Sequence, residues 1–423
     1  MFFFFFLQVE NPFGAAYAQD TLTVEQAVQR VVENHPAVVQ ASQNVRASEA
    51  RLLQAETAKL PDAGFEGLYT RIGPVPELYD FKLYPENNYD AHIGGQYTVY
   101  DFGKASAAIE ATRSRVHSAR DAVEMTKNGL AYQTVRTFYA ILFLQQSIQV
   151  TNEQIDALNQ HLLTTQKKVE SGTATSFDVL TTQVRVAAAQ NQKIELGNTL
   201  HQQQIVLHQL LGIPAEQEVR LRGEFSMTPV SLNTDSLVHQ ALDQRAELQL
   251  ARDAEQSAEL QNKAVSFGTM PSLKVNLAYG VKNGYIPNLD VLRGNWVAGA
   301  QLQIPIYDGR RTDYQEEEAQ ANVLAEQAHV KNAEREVRGD VERAVGDIKT
   351  ALDKLQISNL QVEQAKEAVS IARKRYETGS VTNLDLLDAE TAESAAQLGN
   401  VQSLYNYVMS LYELKRAVGA ALF

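Results

Sequence analysis

The sequence says nearly the same thing twice. Glu170-Ser-Gly-Thr-Ala-Thr-Ser-Phe-Asp-Val-Leu180 returns 207 residues later as Glu377-Thr-Gly-Ser-Val-Thr-Asn-Leu-Asp-Leu-Leu387, and over positions 170–190 and 377–397 eight of 21 residues are identical. The match extends beyond this turn. Tyr100-Asp101 is answered by Tyr307-Asp308, and Pro61 and Tyr69 are answered 210 residues on by Pro271 and Tyr279. A duplication of this span confines a 423-residue chain to folds that one unit builds twice. The division it implies is a first structural repeat at 19–212, a linker at 213–234 and a second repeat at 235–423.

Each half carries a helical pattern of unusual length. From Lys104 to about Glu170 there is no proline, and apolar residues recur every seventh position at Ile109, Val116, Val123, Leu130 and, after Thr137, Leu144. The second half repeats the ladder with Val341, Ile348, Leu355, Val362, Val369 and Tyr376, alongside Val323, Val330, Val337, Ala344 and Ala351. Sevenfold spacing keeps one seam against a partner helix. At 1.5 Å per residue, such a helix is a rod of about 100 Å. Shorter patterns at about 22–59, 175–212, 235–267 and 383–420 supply the partners, two short helices matching one long one. Small residues crowd 105–122 and 182–190, so layers of antiparallel helices are expected rather than a two-stranded rod.

Between the first short helix and the long one, each half has two alternating segments. Residues 91–100 set Ile93, Gly95, Tyr97 and Val99 against His92, Gly94, Gln96 and Thr98. Residues 272–282 set Leu273, Val275, Leu277, Tyr279 and Val281 against Lys274, Asn276, Ala278, Gly280 and Lys282. Residues 295–306 alternate around Trp296, Ala298, Ala300, Leu302, Ile304 and Ile306, and 63–72 is less regular. Roughly ten residues with one apolar face is the signature of a membrane β-strand, with the lysines on the wet side. Four strands cannot close a barrel and an open edge is not tolerated in lipid, so copies of the chain must pool their strands. Loops near 73–90 and 283–294 are rich in turn formers.

The ends and the composition narrow the classes further. Met1, five Phe and Leu7 precede Ala16-Tyr17-Ala18, so residues 1–18 read as a secretory signal cut before Gln19, although its basic n-region is missing. The formal charge is −13, and losing the one acid of that segment, Glu10, leaves −12. That opposes nucleic-acid binding. With no cysteine there is no disulfide framework and no thiolate metal site. The eight histidines show no metal-binding spacing, and there is no P-loop, dinucleotide fingerprint or nucleophile elbow. An enzyme is therefore not expected, nor a cofactor or a metal site.

This order of helix, strand pair, long helix, turn, helix and linker, given twice, resembles the TolC-like outer membrane efflux protein family. The specific pieces are Gln303-Ile-Pro-Ile-Tyr-Asp-Gly-Arg310, its counterpart Val99-Tyr-Asp-Phe-Gly-Lys104, the two turns quoted above and Asn34-His-Pro-Ala-Val38. The resemblance implies a mainly α fold with a small transmembrane β part. In it a homotrimer pools four strands per chain into a twelve-stranded barrel, and twelve helices continue as a periplasmic tunnel. The implied function is a passive outer membrane exit duct for a tripartite efflux pump or a type I secretion system. The implied partners are a periplasmic membrane-fusion adaptor, an inner-membrane transporter of RND, ABC or MFS type, and outer membrane lipid. The alternative is a poreless periplasmic coiled-coil or surface-fibre protein, which would not need four one-faced strands.

Candidate functional residues gather at the two turns. Gly172 and Gly379 sit where a long helix reverses and positive φ is needed, and Thr175 and Asn383 are expected caps of the returning helices. Gly172, Thr173, Thr175, Asp178, Gly379, Ser380 and Thr382 build a turn whether or not anything docks there. By resemblance, 170–179 and 377–386 receive the adaptor hairpin. Asp385 and Asp388 are one turn apart and share a helix face. The first repeat keeps Asp178 but has Thr181 in place of the second acid. By resemblance, Asp385 and Asp388 ring a constricted entrance that binds cations, whereas an Asp in a first turn is also an ordinary dipole partner. Tyr376 matches a tyrosine that locks neighbouring hairpins in the family, but the usual Arg partner position holds Val381.

Overall fold

The computed structural model describes residues 21–79, 81–225 and 232–420. The signal read at 1–18 lies outside the described residues, as do linker positions 226–231. The elements run β1 (Thr21–Leu22), α1 (Val24–Asn34), α2 (Pro36–Glu56), β2 (Asp62–Arg71), β3 (Glu77–Leu78), β4 (Phe81–Lys82), β5 (Asn87–Tyr100), α3 (Lys104–Glu170) and α4 (Ser176–Leu211). Then come β6 (Arg220–Leu221), α5 (Thr234–Gln244), α6 (Ala246–Ser266), β7 (Ser272–Lys282), β8 (Arg293–Gln303), α7 (Arg311–Glu377) and α8 (Asn383–Ala417). Helices α3 and α7 are each 67 residues long. The sevenfold ladder is their buried side: Ile109, Val116, Val123 and Leu144 on α3, and Val337, Val341, Ala344, Ile348, Leu355 and Val369 on α7.

Two expected helices are each broken in two. The pattern at 22–59 is interrupted at His35, held extended at φ −67°, ψ 133°, because a residue before proline is pushed out of the helical region. Pro36 then opens α2, where its missing N–H is not needed. The pattern at 235–267 breaks at Arg245 (φ −70°, ψ 120°) with no proline present. There the cause is tertiary: the Arg245 guanidinium donates to Asp340 on α7 at 2.7 Å, and Gly419 lies so close that an added Cβ would come within 2.8 Å of the Gln244 carbonyl carbon.

The chain forms two compact units, and each takes segments from both halves of the sequence. The first comprises residues up to Val39, Met125–Arg245 and Val337 onward. Its core joins Val24, Ala27, Val28 and Val31 of α1 to Val135, Phe138, Ile141 and Leu142 of α3 and Leu207, Leu210 and Leu211 of α4. A smaller cluster of Leu158, Val186, Ala189 and Leu387 lies nearer the turns of the repeat.

The second unit, Gln40–Glu124 with Ala246–Glu336, contains the sheet. Its order is β2-β5-β7-β8, antiparallel throughout. The register aligns Phe65, Ile93, Tyr279 and Trp296 in one cross-strand row, and Ala63, Gly95, Leu277 and Ala298 in another on the same face. The opposite face carries Glu66 beside His92, and Asp90 beside Lys282 and Arg293. There Lys282 and His92 both approach Asp90, at 3.2 Å. Strand extents differ from the sequence expectation. β5 begins at Asn87 rather than 91, β8 spans 293–303, and Ile304 and Ile306 fall beyond it. A bulge between Thr98 and Tyr100 interrupts the β5 register. Apolar side chains on this sheet are exposed in the protomer, Trp296 at 70% and Phe65 at 73%.

Candidate functional site

The two duplicated turns share their backbone geometry and their capping bonds. Gly172 and Gly379 adopt φ +76° and +74°, the left-handed conformation that glycine takes without steric penalty. The Gly172 N–H donates to the Val169 carbonyl at 3.0 Å and the Thr173 N–H to Lys168 at 2.8 Å. In the second turn Gly379 donates to Tyr376 at 3.2 Å and Ser380 to Arg375 at 2.8 Å. This is the Schellman stop, which satisfies carbonyls that the ending helix leaves open. Hydroxyls close each loop further: Ser171 and Thr173 lie 3.0 Å apart, as do Thr378 and Ser380.

Both returning helices begin with a capping box, two groups satisfying each other's backbone N–H. Thr175 and Asp178 form the first: the Thr175 N–H and hydroxyl donate to the carboxylate at 2.9 and 2.7 Å, and the Asp178 N–H donates back at 3.3 Å. Thr382 and Asp385 form the second with 2.8, 2.7 and 3.2 Å. The cap of α8 is thus Thr382, and the expectation that Asn383 would cap it is corrected.

Asn383 instead ties the two hairpins together. Its amide oxygen lies 2.6 Å from His161 Nε2, and its amide nitrogen donates to the Asp178 carbonyl at 3.3 Å and toward Thr181 and Thr182 at 3.4 and 3.5 Å. Thr165 and Thr182, both 0% exposed, flank it. Tyr376 joins the same node: its hydroxyl is 3.3 Å from Thr165 Oγ1 and its ring 5.1 Å from the His161 ring. Lys168 Nζ sits 3.8 Å over that ring and donates to the Tyr376 carbonyl at 2.6 Å. A buried polar group without a partner is costly, so a satisfied node of this kind fixes the registration of α3, α4, α7 and α8.

The acids divide into two kinds. Hydrogen bonds from the Thr382 hydroxyl and backbone N–H hold the Asp385 carboxyl below the usual carboxylate range, because they favour the charged form. Asp388 faces Arg185 of α4, whose guanidinium comes within 3.3 Å. Among the described residues no group of three or more His, Cys, Asp or Glu could hold a metal ion.

The sequence reading located the turns but missed His161, Thr165, Lys168 and Arg185. A signal for three of them was present. Ala368, Ala372 and Ala392 stand 207 residues after His161, Thr165 and Arg185, so at each of these positions one copy is polar where the other has alanine.

Comparison with known proteins agrees over almost the whole chain. The family described as outer membrane efflux protein matches residues 27–213 and 237–420. The outer membrane protein TolC of Vibrio cholerae is 22% identical over 317 residues, covering 74% of this chain and 72% of that one. The alkaline protease secretion protein AprF of Pseudomonas aeruginosa is 24% identical over 355 residues, covering 80% and 72%. The crystal structure of the outer membrane protein VceC from Vibrio cholerae has the same fold, with a TM-score of 0.83 at 17% identity and coverage of 95% of this chain and 97% of that one. No helix among the described residues is long and apolar enough to cross a membrane.

Proposed function

The chain belongs to the outer membrane efflux protein family, and from that premise we propose that three copies form one conduit that narrows at the duplicated turns and meets a periplasmic adaptor there. The protein is an outer membrane channel, the exit duct of an efflux or type I secretion system. The observation that carries the finer proposal is the four-stranded sheet. It has one apolar face, and β2 and β8 each pair on one side only. In lipid those free edges need partners, and further copies supply them. The apolar face then meets outer membrane lipid. Helical surfaces support the same reading: Phe177, Leu180, Val184 and Ile194 on α4, and Ile357, Leu360 and Ile371 on α7, are exposed apolar residues near the heptad spacing of a seam.

In this reading 19–212 and 235–423 are two repeats joined by 213–234. The turn segments 170–179 and 377–386 dock the adaptor, which couples the duct to an RND, ABC or MFS transporter. Asp385 and Asp388 line the entrance. Three copies bring six carboxylates together, and like charges about 6 Å apart at an effective dielectric near 20 repel by roughly 3 kcal/mol per pair. Bound cations relieve that repulsion. Two measurements test the proposal. Light scattering in detergent is expected to give a trimer, and a folded, detergent-bound monomer would refute the pooled barrel. In planar bilayers, divalent cations added on the periplasmic side are expected to block the channel. The block should be lost in the Asp385→Ala/Asp388→Ala double variant and mostly kept in Asp178→Ala. Full block in the double variant would leave Asp385 a capping residue and Asp388 an ion-pair partner of Arg185, with the constriction elsewhere.

A further inference from the structure

We propose that Arg185 sets the cation affinity of the entrance by neutralising part of the charge on Asp388; this rests on the entrance reading above. Asp385 and Asp388 are not equivalent. The Asp385 carboxylate is engaged in its own capping box with Thr382, so its position is fixed by the start of α8. Asp388, one turn on, meets the guanidinium of Arg185 at 3.3 Å, with the two side chains 41% (Arg185) and 61% (Asp388) exposed. The pair joins the first repeat to the second and has no image under the duplication. Thr181 stands where the second repeat has Asp388, and Ala392 where the first has Arg185. An arginine is always charged, so the three side chains carry a net −1 per protomer where the two acids alone would carry −2.

The consequence is a graded site. A cation held against Asp388 lies about 6 Å from the guanidinium, and the Coulomb repulsion at the dielectric of water weakens binding by about threefold for a monovalent and about tenfold for a divalent cation, more where the entrance excludes solvent. Arg185 therefore lowers both the cation selectivity of the entrance and the tightness with which cations seal it.

The test uses full-length channels in planar bilayers with Mg²⁺ added from the periplasmic side. Arg185→Gln is expected to lower the half-blocking Mg²⁺ concentration about tenfold or more and to raise the potassium-to-chloride permeability ratio. Arg185→Lys, which keeps the charge, should match the parent channel. In an Asp388→Ala background, Arg185→Gln should change the block by less than it does alone. An unchanged or weaker block in Arg185→Gln, with Asp388→Ala still reducing the block, overturns the role of Arg185 alone. A parent-like block in Asp388→Ala overturns the entrance reading beneath it.

Discussion

Replacing Asn383 by alanine isolates the contribution of the node between the two hairpins. The side chain accepts from His161 Nε2 at 2.6 Å and donates to the Asp178 carbonyl at 3.3 Å. The hydroxyls of Thr181 and Thr182 keep the Asp178 carbonyl as acceptor at 3.0 and 2.8 Å, and Thr165 keeps the His161 carbonyl at 3.0 Å. The deletion leaves the His161 N–H, in a residue only 6% exposed, with just the long 3.5 Å contact to Thr165 Oγ1. An unsatisfied buried donor costs about 1–3 kcal/mol and the second lost bond about 1 kcal/mol, for a total of about 2–4 kcal/mol. At 1.4 kcal/mol per factor of ten, local opening at the start of α8 becomes about 30- to 700-fold more frequent. Hydrogen exchange of the detergent-solubilised protein should show that loss of protection across residues 386–390. Ser176, the position 207 residues earlier, is exposed, and Ser176→Ala should change protection by under threefold. A comparable change in both variants, or none in Asn383→Ala, would refute the claim that this amide holds the hairpins in register.

Four further outcomes are expected. Trp296→Arg places a charge on the apolar face of the sheet and should cost about 2–4 kcal/mol near the bilayer midplane, seen as failed barrel assembly, whereas Gln301→Arg on the opposite face should assemble. Gly172→Val or Gly379→Val forces a β-branched residue into positive φ at a cost of about 1–2 kcal/mol; export should fall while membrane trimers persist, and unchanged export would count against docking at the turns. Arg245→Ala should destabilise the protein by about 2 kcal/mol in denaturant unfolding, less than for a fully buried pair because Arg343 still reaches Asp340. Burial pushes the Asp340 carboxyl up, but hydrogen bonds from Arg245 and Arg343 outweigh it and leave the group below its usual range. A depressed folded value gives stability that is complete above the unfolded Asp value of about 3.9 and lost as pH falls through the folded one. Asp340→Asn should therefore flatten the acid limb of the stability curve.

Much of this molecule is local, and the local part was legible. Gly172 and Gly379 announce helix stops because positive φ is a property of the residue itself, and the ladder from Val341 to Tyr376 announces a buried seam because burial follows the period of the helix. The break at His35 has its cause in Pro36, although the pattern at 22–59 was read as one helix. Alternation placed Ile93, Leu277 and Trp296 on one face of the sheet before any strand was paired, since successive side chains of a strand point to opposite sides. The duplication and the family resemblance together carried the exit-duct reading.

What the tertiary structure alone decided is which polar groups meet and where the chain bends without a local signal. The break at Arg245 has no proline to signal it; it forms where an ion pair to Asp340 and the close approach of Gly419 hold the chain extended. Asn383 looks like a cap by residue type, yet Thr382 takes that role and Asn383 turns inward to His161 and Thr182. Asp385 and Asp388 look like twins by spacing, yet one is bound to Thr382 and the other faces Arg185. Sequence periodicity reports which side of a helix is buried, a short-range property of 3.6 residues per turn. Which polar group meets which depends on residues some 200 positions apart, and only the packed helices bring them within hydrogen-bonding distance.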